Sequence, residues 1–327
     1  MSPQDAGPRA GGSQSRSAKK PSLSVVIVSW NASRYTERCL ASLIDHAPAR
    51  PYEVLVVDNG SADGSGEVAR RFGPPVRVFE LSHNQGFAAA SNEGFRNSGN
   101  EYVLFLNSDI EVGETALENL CRFMDEHPEA AAAGGKLLGS DGQPQRGFNV
   151  RTFPTMMSTV FEVLMVDKLF PRNPVTRRHR MLDFSFSETA EVDQLAGACL
   201  LVRRDAFEAV GLFDEAFFPA WFEDVDLCRR LRVGGFRCFF VPGAAFLHRG
   251  GVSLDHLEYG QFLEIWYRNL VRFFDKHHGV AASRLLRGLI RLGMLERMTA
   301  LVIKAPRRGM RRAEALAAYW RVLRESF

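Results

Sequence analysis

Two adjacent acids, Glu223 and Asp224, follow the aromatic turn Pro219-Ala220-Trp221-Phe222 and open a stretch, residues 223–233, with helical spacing. An apolar wall beside a carboxyl raises its pKa toward the range useful to a general base. The same placement offsets a helix macrodipole, so the pair also has a purely structural explanation. Just beyond, Asp226 and Arg229 are spaced for a surface ion pair. Asn107-Ser108-Asp109 comes directly after the apolar run 102–106. A carboxylate where a buried strand runs out can ligate Mg²⁺ or Mn²⁺, hard cations that take one or two carboxylates and substrate phosphates. As an N-cap for a helix near Glu114, Asp109 stands too early in the chain. Asp58, after the apolar run 54–57 and before Asn59-Gly60-Ser61, can accept hydrogen bonds from a base edge or a ribose hydroxyl, or close an Asx-turn. It does not begin a calcium loop, because Gly60, Ala62 and Ala69 fall where that loop needs ligands. His248 lies in residues 242–253, which read as a loop; a lone histidine there is ordinarily a packing or hydrogen-bonding group.

These side chains need a frame. From Leu23 onward, short β-branched runs alternate with amphipathic stretches: 23–29 then 34–46, 52–57 then 66–72, 76–80 then 85–97, 102–106 then 114–127. The pattern predicts an α/β fold with a mostly parallel sheet and helices on both faces. Ligands of such sheets bind beyond the carboxyl ends of the strands. Those ends read Ser29-Trp30-Asn31, Asp58-Asn59-Gly60, His83-Asn84-Gln85-Gly86 and Asn107-Ser108-Asp109. Residues 134–148 are turn-rich, and 140–190 read as an insertion or mobile region. A strand-like run at 191–203 holds Gly197; a short helix near 205–210, a strand at 236–241 and a helix at 260–277 follow.

The 327 residues carry a formal charge of +3, 46% hydrophobic and 24% charged residues, which is globular composition. Residues 281–327 hold eleven Lys and Arg against three Glu. Leucines and arginines alternate there in a way that suits an anionic bilayer surface, or equally a helix packed on the main domain with a solvated basic face. Five cysteines without a Cys-x-x-Cys pair suggest buried thiols in a reducing cytoplasm. Residues 1–22 lack an apolar core and read as a disordered leader; no run is long enough to span a membrane. The expected location is the cytoplasm, with peripheral contact at the inner face of the plasma membrane through the basic tail. No nucleic-acid partner is expected, because the tail lacks interleaved aromatics and the remainder is net acidic. A nicotinamide oxidoreductase is disfavoured, since Ser29-Trp30-Asn31-Ala32-Ser33 stands where a dinucleotide fold has its Gly-x-Gly-x-x-Gly turn.

Taken together, 24–31, 56–65, 84–92 (Asn-Gln-Gly-Phe-Ala-Ala-Ala-Ser-Asn), 104–109, 196–203, 213–226 and 248–253 resemble family 2 glycosyltransferases of the GT-A fold, in the bacterial rhamnosyltransferase-like branch. The resemblance implies a catalytic domain at 23–255 and a C-terminal helical region at 256–327. It implies that Ser29, Asn31 and Asp58 hold a nucleoside, with Asn84 and Gly86 in the same pocket. Asp109 would be the last acid of an Asp-x-Asp element for Mg²⁺ or Mn²⁺, with Asn107 in place of the first acid and His248 completing the metal or diphosphate site. Asp224 would be the base of an inverting transfer, Glu223 its neighbour, and Gly197, Ala198 and Trp221 would face the acceptor. The implied donor is dTDP-L-rhamnose, or else a UDP-sugar, and the implied acceptor a cell-surface glycan on a polyprenyl diphosphate. Processive members carry Gln-x-x-Arg-Trp and spanning helices; Gln261-Phe262-Leu263-Glu264-Ile265-Trp266 departs from this, which implies one addition per encounter.

Overall fold

The computed structural model describes residues 22–250, 257–303 and 310–325. The leader expected at 1–22 lies almost wholly outside them, as do 251–253 and the tail arginines Arg307 and Arg308. In chain order the first part reads β1 (Leu23–Ser29), α1 (Ser33–Asp45), β2 (Tyr52–Asp58), α2 (Ser65–Arg70), β3 (Val76–Glu80), α3 (Phe87–Arg96), β4 (Tyr102–Asn107), β5 (Ile110–Val112), α4 (Ala116–Glu126) and β6 (Ala130–Leu138). Then come β7 (Val150–Arg151), α5 (Met156–Val163), α6 (Val166–Leu169), α7 (Pro174–His179), β8 (Ala190–Val192), β9 (Gln194–Leu195), β10 (Cys199–Arg203) and α8 (Arg204–Val210). The chain closes with α9 (Glu223–Val233), β11 (Arg237–His248), α10 (Tyr259–His278), α11 (Val280–Ile303) and α12 (Arg312–Arg324).

The main sheet runs β3-β2-β1-β4-β10-β6-β11-β5, with β8 added on β11. Its first four strands are parallel, and β1, β2 and β4 are near-continuous apolar runs, as strands covered on both faces are. β10 turns the order, pairing antiparallel with β4 and β6, while β6 and β11 are again parallel. Register decides what reaches the edge: Ser29 pairs with Asp58, Asp58 with Glu80, and Val28 with Asn107. One apolar layer packs α1 and α4 on one face; a second packs α3, α8 and α9 on the other. A third unites α9, α5 and the helices α10 to α12.

Several local expectations change. Gly134 and Gly135 lie inside β6, where an added Cβ would strike Leu195 and the Ala244 carbonyl, so they serve close packing and not a turn. The strand-like run at 191–203 is three strands, β8 to β10. The 140–190 stretch contains β7 and three short helices, two of them capped by Thr155 and Asn173. His248 is the last residue of β11, not part of a loop, because that strand continues past Pro242 and Gly243 through a register shift between Val241 and Ala245. Asp226 does not pair with Arg229 at the surface. It is fully buried and meets Arg230 Nε at 2.7 Å, Lys276 Nζ at 2.8 Å and His277 Nε2 at 2.8 Å, which fastens α9 to α10. Arg229 lies over the Phe153 ring instead.

Candidate active site

The carboxyl edge of the sheet, the start of α9 and the side of α10 enclose one cavity of about 680 Å³. Asn84, Asn107, Asp109, Gly197, Ala198, Trp221, Glu223, Asp224 and His248 all line it. Ser29, Asn31, Asp58 and Gly86 do not. The Ser29 hydroxyl is 2.8 Å from Thr36 Oγ1, Asn31 Oδ1 accepts from the Ala62 N–H, and Asp58 Oδ1 accepts from the Ser61 N–H at 2.9 Å. These three shape the loops after β1 and β2, whose cavity-facing members are Trp30 and Asn59. Asn59 Nδ2 donates to Asn84 Oδ1 at 3.0 Å, joining two strand tips. Gly86 has φ +85°, and a Cβ there would collide with Phe218 and the Pro219 carbonyl; its role is to let that turn approach.

At one end of the cavity Asp109 Oδ1 lies 3.5 Å from His248 Nε2, and the Gly250 N–H donates to Asp109 Oδ2. Gln145 orients the imidazole. Its Nε2 donates to the His248 carbonyl, which leaves Oε1 to accept from Nδ1 at 2.7 Å, while Phe148 stacks on the ring. Nε2 is therefore the bare nitrogen, and burial pushes the His248 pKa down, keeping it neutral. A histidine with Nδ1–H held by an amide and Nε2 beside a carboxylate is the donor set of a metal ligand pair. Among the described residues no group of three or more His, Cys, Asp or Glu could hold an ion. Two protein ligands fit a divalent cation that takes its remaining ligands from substrate phosphates and water.

At the other end, α9 begins with its acids. Trp221 and Phe222 both adopt left-handed backbone, φ +72° and +75°, which costs on the order of 1–3 kcal/mol per residue. Asn269 of α10 holds the turn by donating to the Ala220 and Trp221 carbonyls, and Phe262, Trp266 and Phe273 pack against the two rings. Burial raises both acid pKa values, Glu223 well above its ordinary range. Asp224 is better able to ionise: the Gly197 N–H donates to Oδ2 and its neighbour Val225 to Oδ1, both at 2.8 Å, and Arg151 adds positive charge nearby. Glu223 Oε2 is buried with no hydrogen-bond partner. Of the two, Glu223 holds its proton the more tightly, and Asp224 is the acid placed to ionise first and serve as a base.

The family model for glycosyl transferase family 2 matches residues 24–211. An N-acetylglucosaminyl-diphospho-decaprenol L-rhamnosyltransferase of Mycobacterium tuberculosis is 31% identical over 301 residues, 89% of this chain and 96% of that protein. This chain belongs to glycosyl transferase family 2. Rhamnosyltransferase WbbL of Escherichia coli is 26% identical across 68% of the chain and 82% of its own length. S. aureus TarS 1–349, solved with UDP-GlcNAc, superposes with a TM-score of 0.53 at 16% identity, covering 92% of this chain and 81% of that one, and so shares its fold. The glycosyltransferase has the GT-A architecture implied by its motifs. Its matched segment ends before α9, so the acid pair lies beyond it.

Gln145, Arg151, Glu162, His179, Phe262 and Trp266 also line the cavity and did not stand out in the sequence. For Phe262 and Trp266 a signal existed, since both lie on the apolar face of the helix expected at 260–277. For the others none did: each is a single polar residue brought in by tertiary packing.

Proposed function

We propose that this glycosyltransferase is inverting and metal-dependent, moving L-rhamnose from dTDP-L-rhamnose to a hydroxyl of a saccharide carried on a polyprenyl diphosphate. The observation that carries this reading is the polarity of one cavity: the Asp224 carboxyl, held by the Gly197 N–H, at one end and the Asp109–His248 pair at the other. In a single displacement the acceptor oxygen bonds to the anomeric carbon, its proton passes to Asp224, and the bond to the nucleoside diphosphate breaks. One displacement inverts the carbon. Glu223 offers its Oε2, which has no partner in the protein, to a substrate hydroxyl, and the Trp221 wall with Gly197 and Ala198 orients the acceptor. Trp30, Asn59 and Asn84 take the nucleoside, on loops held by Ser29, Asn31 and Asp58. Asp109 and His248 would hold Mg²⁺ or Mn²⁺, which when bound supplies positive charge against the leaving diphosphate. The names of two relatives support rhamnose; TarS, solved with UDP-GlcNAc, supports a UDP-sugar as the second choice.

Nucleotide sugars offered with polyprenyl-diphospho-N-acetylglucosamine test this. Nucleoside diphosphate release is expected with dTDP-L-rhamnose, abolished by EDTA, giving product of inverted anomeric configuration. Undiminished release in EDTA would remove the metal, and retained configuration would remove the single displacement.

The tail adds a location. No helix among the described residues is long and apolar enough to cross a membrane. On α11, Leu285, Leu292 and Leu295 are each more than half exposed, on one face with Arg284 and Arg291 and with no acid among its exposed positions. The opposite face is fixed: Gly293 lies against Val163, and Arg297 donates to the Glu162 and Val163 carbonyls of α5. An apolar stripe flanked by cations complements an anionic bilayer, and it would bring the cavity to a lipid-borne acceptor. Co-sedimentation with phosphatidylglycerol vesicles is expected, with none on phosphatidylcholine alone. Leu292→Glu with Arg291→Glu is expected to abolish it; unchanged sedimentation of that variant would sink the assignment.

A further inference from the structure

Arg151 ends β7 and lines the cavity, yet the transfer described above gives it no contact with substrate. β7 pairs antiparallel with β9, placing Arg151 opposite Gln194, three residues before the glycine that holds Asp224. Its Nε donates to the Gly147 carbonyl. Among the described residues, its two terminal nitrogens have neither a hydrogen-bond partner nor an ion-pair partner. Two other partly buried arginines, Arg230 and Arg203, show what full engagement looks like. Arg230 reaches Asp226 and the Val210 and Leu212 carbonyls, and Arg203 reaches the Ala130, Met124 and His127 carbonyls. Burial pulls the Arg151 pKa down, but a guanidinium remains charged, and a cation so placed without a partner is costly. Glu162 and Asp224 act on it from nearby without pairing; His179 beside it is neutral, its pKa pushed down to about 4 by burial first and by Arg151 next.

We infer that Arg151 binds a phosphate of the acceptor, in the diphosphate that joins its saccharide to its lipid. A planar fork of N–H donors matches phosphate oxygens, and two free terminal nitrogens facing a cavity can both engage one group. The position selects the acceptor. Arg151 shares the Asp224 end, where the attacking hydroxyl must lie, whereas the donor diphosphate belongs with Asp109 and His248. Glu162 and Asp224 would otherwise repel a second anion there, and Arg151 supplies the opposing charge. The inference depends on the proposed reaction for what the acceptor is, so the primary test measures binding without sugar transfer.

In EDTA, with geranyl diphosphate as probe and titration calorimetry as readout, the full chain is expected to bind. Arg151→Gln is expected to bind about tenfold more weakly or worse, Asp109→Ala as well as the parent, and Arg151→Lys in between. Loss in Asp109→Ala with retention in Arg151→Gln would assign the probe to the donor end and overturn the inference; so would equal binding by all. Because no partner depends on the terminal nitrogens, Arg151→Gln is expected to melt at or above the parent Tm. A lowered Tm with intact binding in both Gln and Lys variants would mark a structural role instead. In turnover, the acceptor KM of Arg151→Gln is expected to rise for diphosphate-linked N-acetylglucosamine and not for a simple glycoside of it; equal rises would mean that Arg151 only tunes the base. Should Asp224→Asn keep full turnover, the proposed chemistry would fall while the EDTA titration still reports on Arg151 alone.

Discussion

Asp224→Asn is expected to lower kcat by about a hundredfold to ten-thousandfold, the usual contribution of a positioned general base, while donor binding stays as it was. The substitution keeps shape, and with the amide oxygen turned to the Gly197 N–H it keeps that hydrogen bond and gives up only the one from its neighbour Val225, so the α9 entrance should hold. What disappears is the ability to take a proton. The parent enzyme should show the matching pH behaviour. Burial raises the Asp224 pKa above its ordinary 3.8, so the acid limb of kcat/KM falls at a higher pH than a solvated aspartate would give. Below that pKa the base is protonated and the rate is lost; above it the rate is level until another group titrates. Removing the Arg151 charge should move the limb further up, since that charge favours ionised Asp224. Glu223→Gln should leave it in place, because Glu223 holds its proton more tightly and is still neutral when Asp224 ionises. Normal turnover by Asp224→Asn, or an unmoved limb when the Arg151 charge is removed, would contradict the assignment.

Asp109→Ala is expected to cost about 10²–10³ in kcat/KM, in the range seen when one group stabilising developing negative charge is deleted, and to weaken donor binding only when the cation is present. The proposed cation site has two protein ligands, Asp109 and His248, so losing either would leave too few to hold an ion against water. Gln145→Ala touches no ion directly, but it frees the imidazole to rotate and change tautomer; a smaller loss of about 10–100-fold is expected, as for other groups that orient a ligand. Calorimetry of donor binding with and without Mn²⁺ separates the cases. A metal-independent loss in Asp109→Ala would show a structural carboxylate.

The parallel half of the sheet was legible because β1, β2 and β4 are near-continuous apolar runs ending abruptly in polar residues, and Asn107 and Asp109 follow from that pattern alone. The antiparallel half was not. A run of apolar residues at 191–203 carries no mark of where β8, β9 and β10 part company, and Pro242-Gly243 imitates a strand end in the middle of β11. The acid pair of α9 was legible, but Asp226 beside it was assigned to the wrong partner. Its true neighbours Lys276 and His277 lie about fifty residues away in sequence. Asp58 was read both as a ligand for nucleoside and as the closure of an Asx-turn, and its Oδ1 does accept from the Ser61 N–H as the second reading has it. Arg151 gave no sign, because its position depends on a two-residue strand pairing across the cavity.

Helix α10 braces the Trp221 turn through Asn269, walls the cavity with Phe262 and Trp266, and grips Asp226 at its far end. All of this lies outside the stretch that the family model recognises. Natural variation could therefore recast which saccharide is served by rewriting a single exchangeable module, while nucleotide handling is inherited unaltered. A hybrid grafting another family member's equivalent of α10 onto this chain would reveal whether selectivity travels with it.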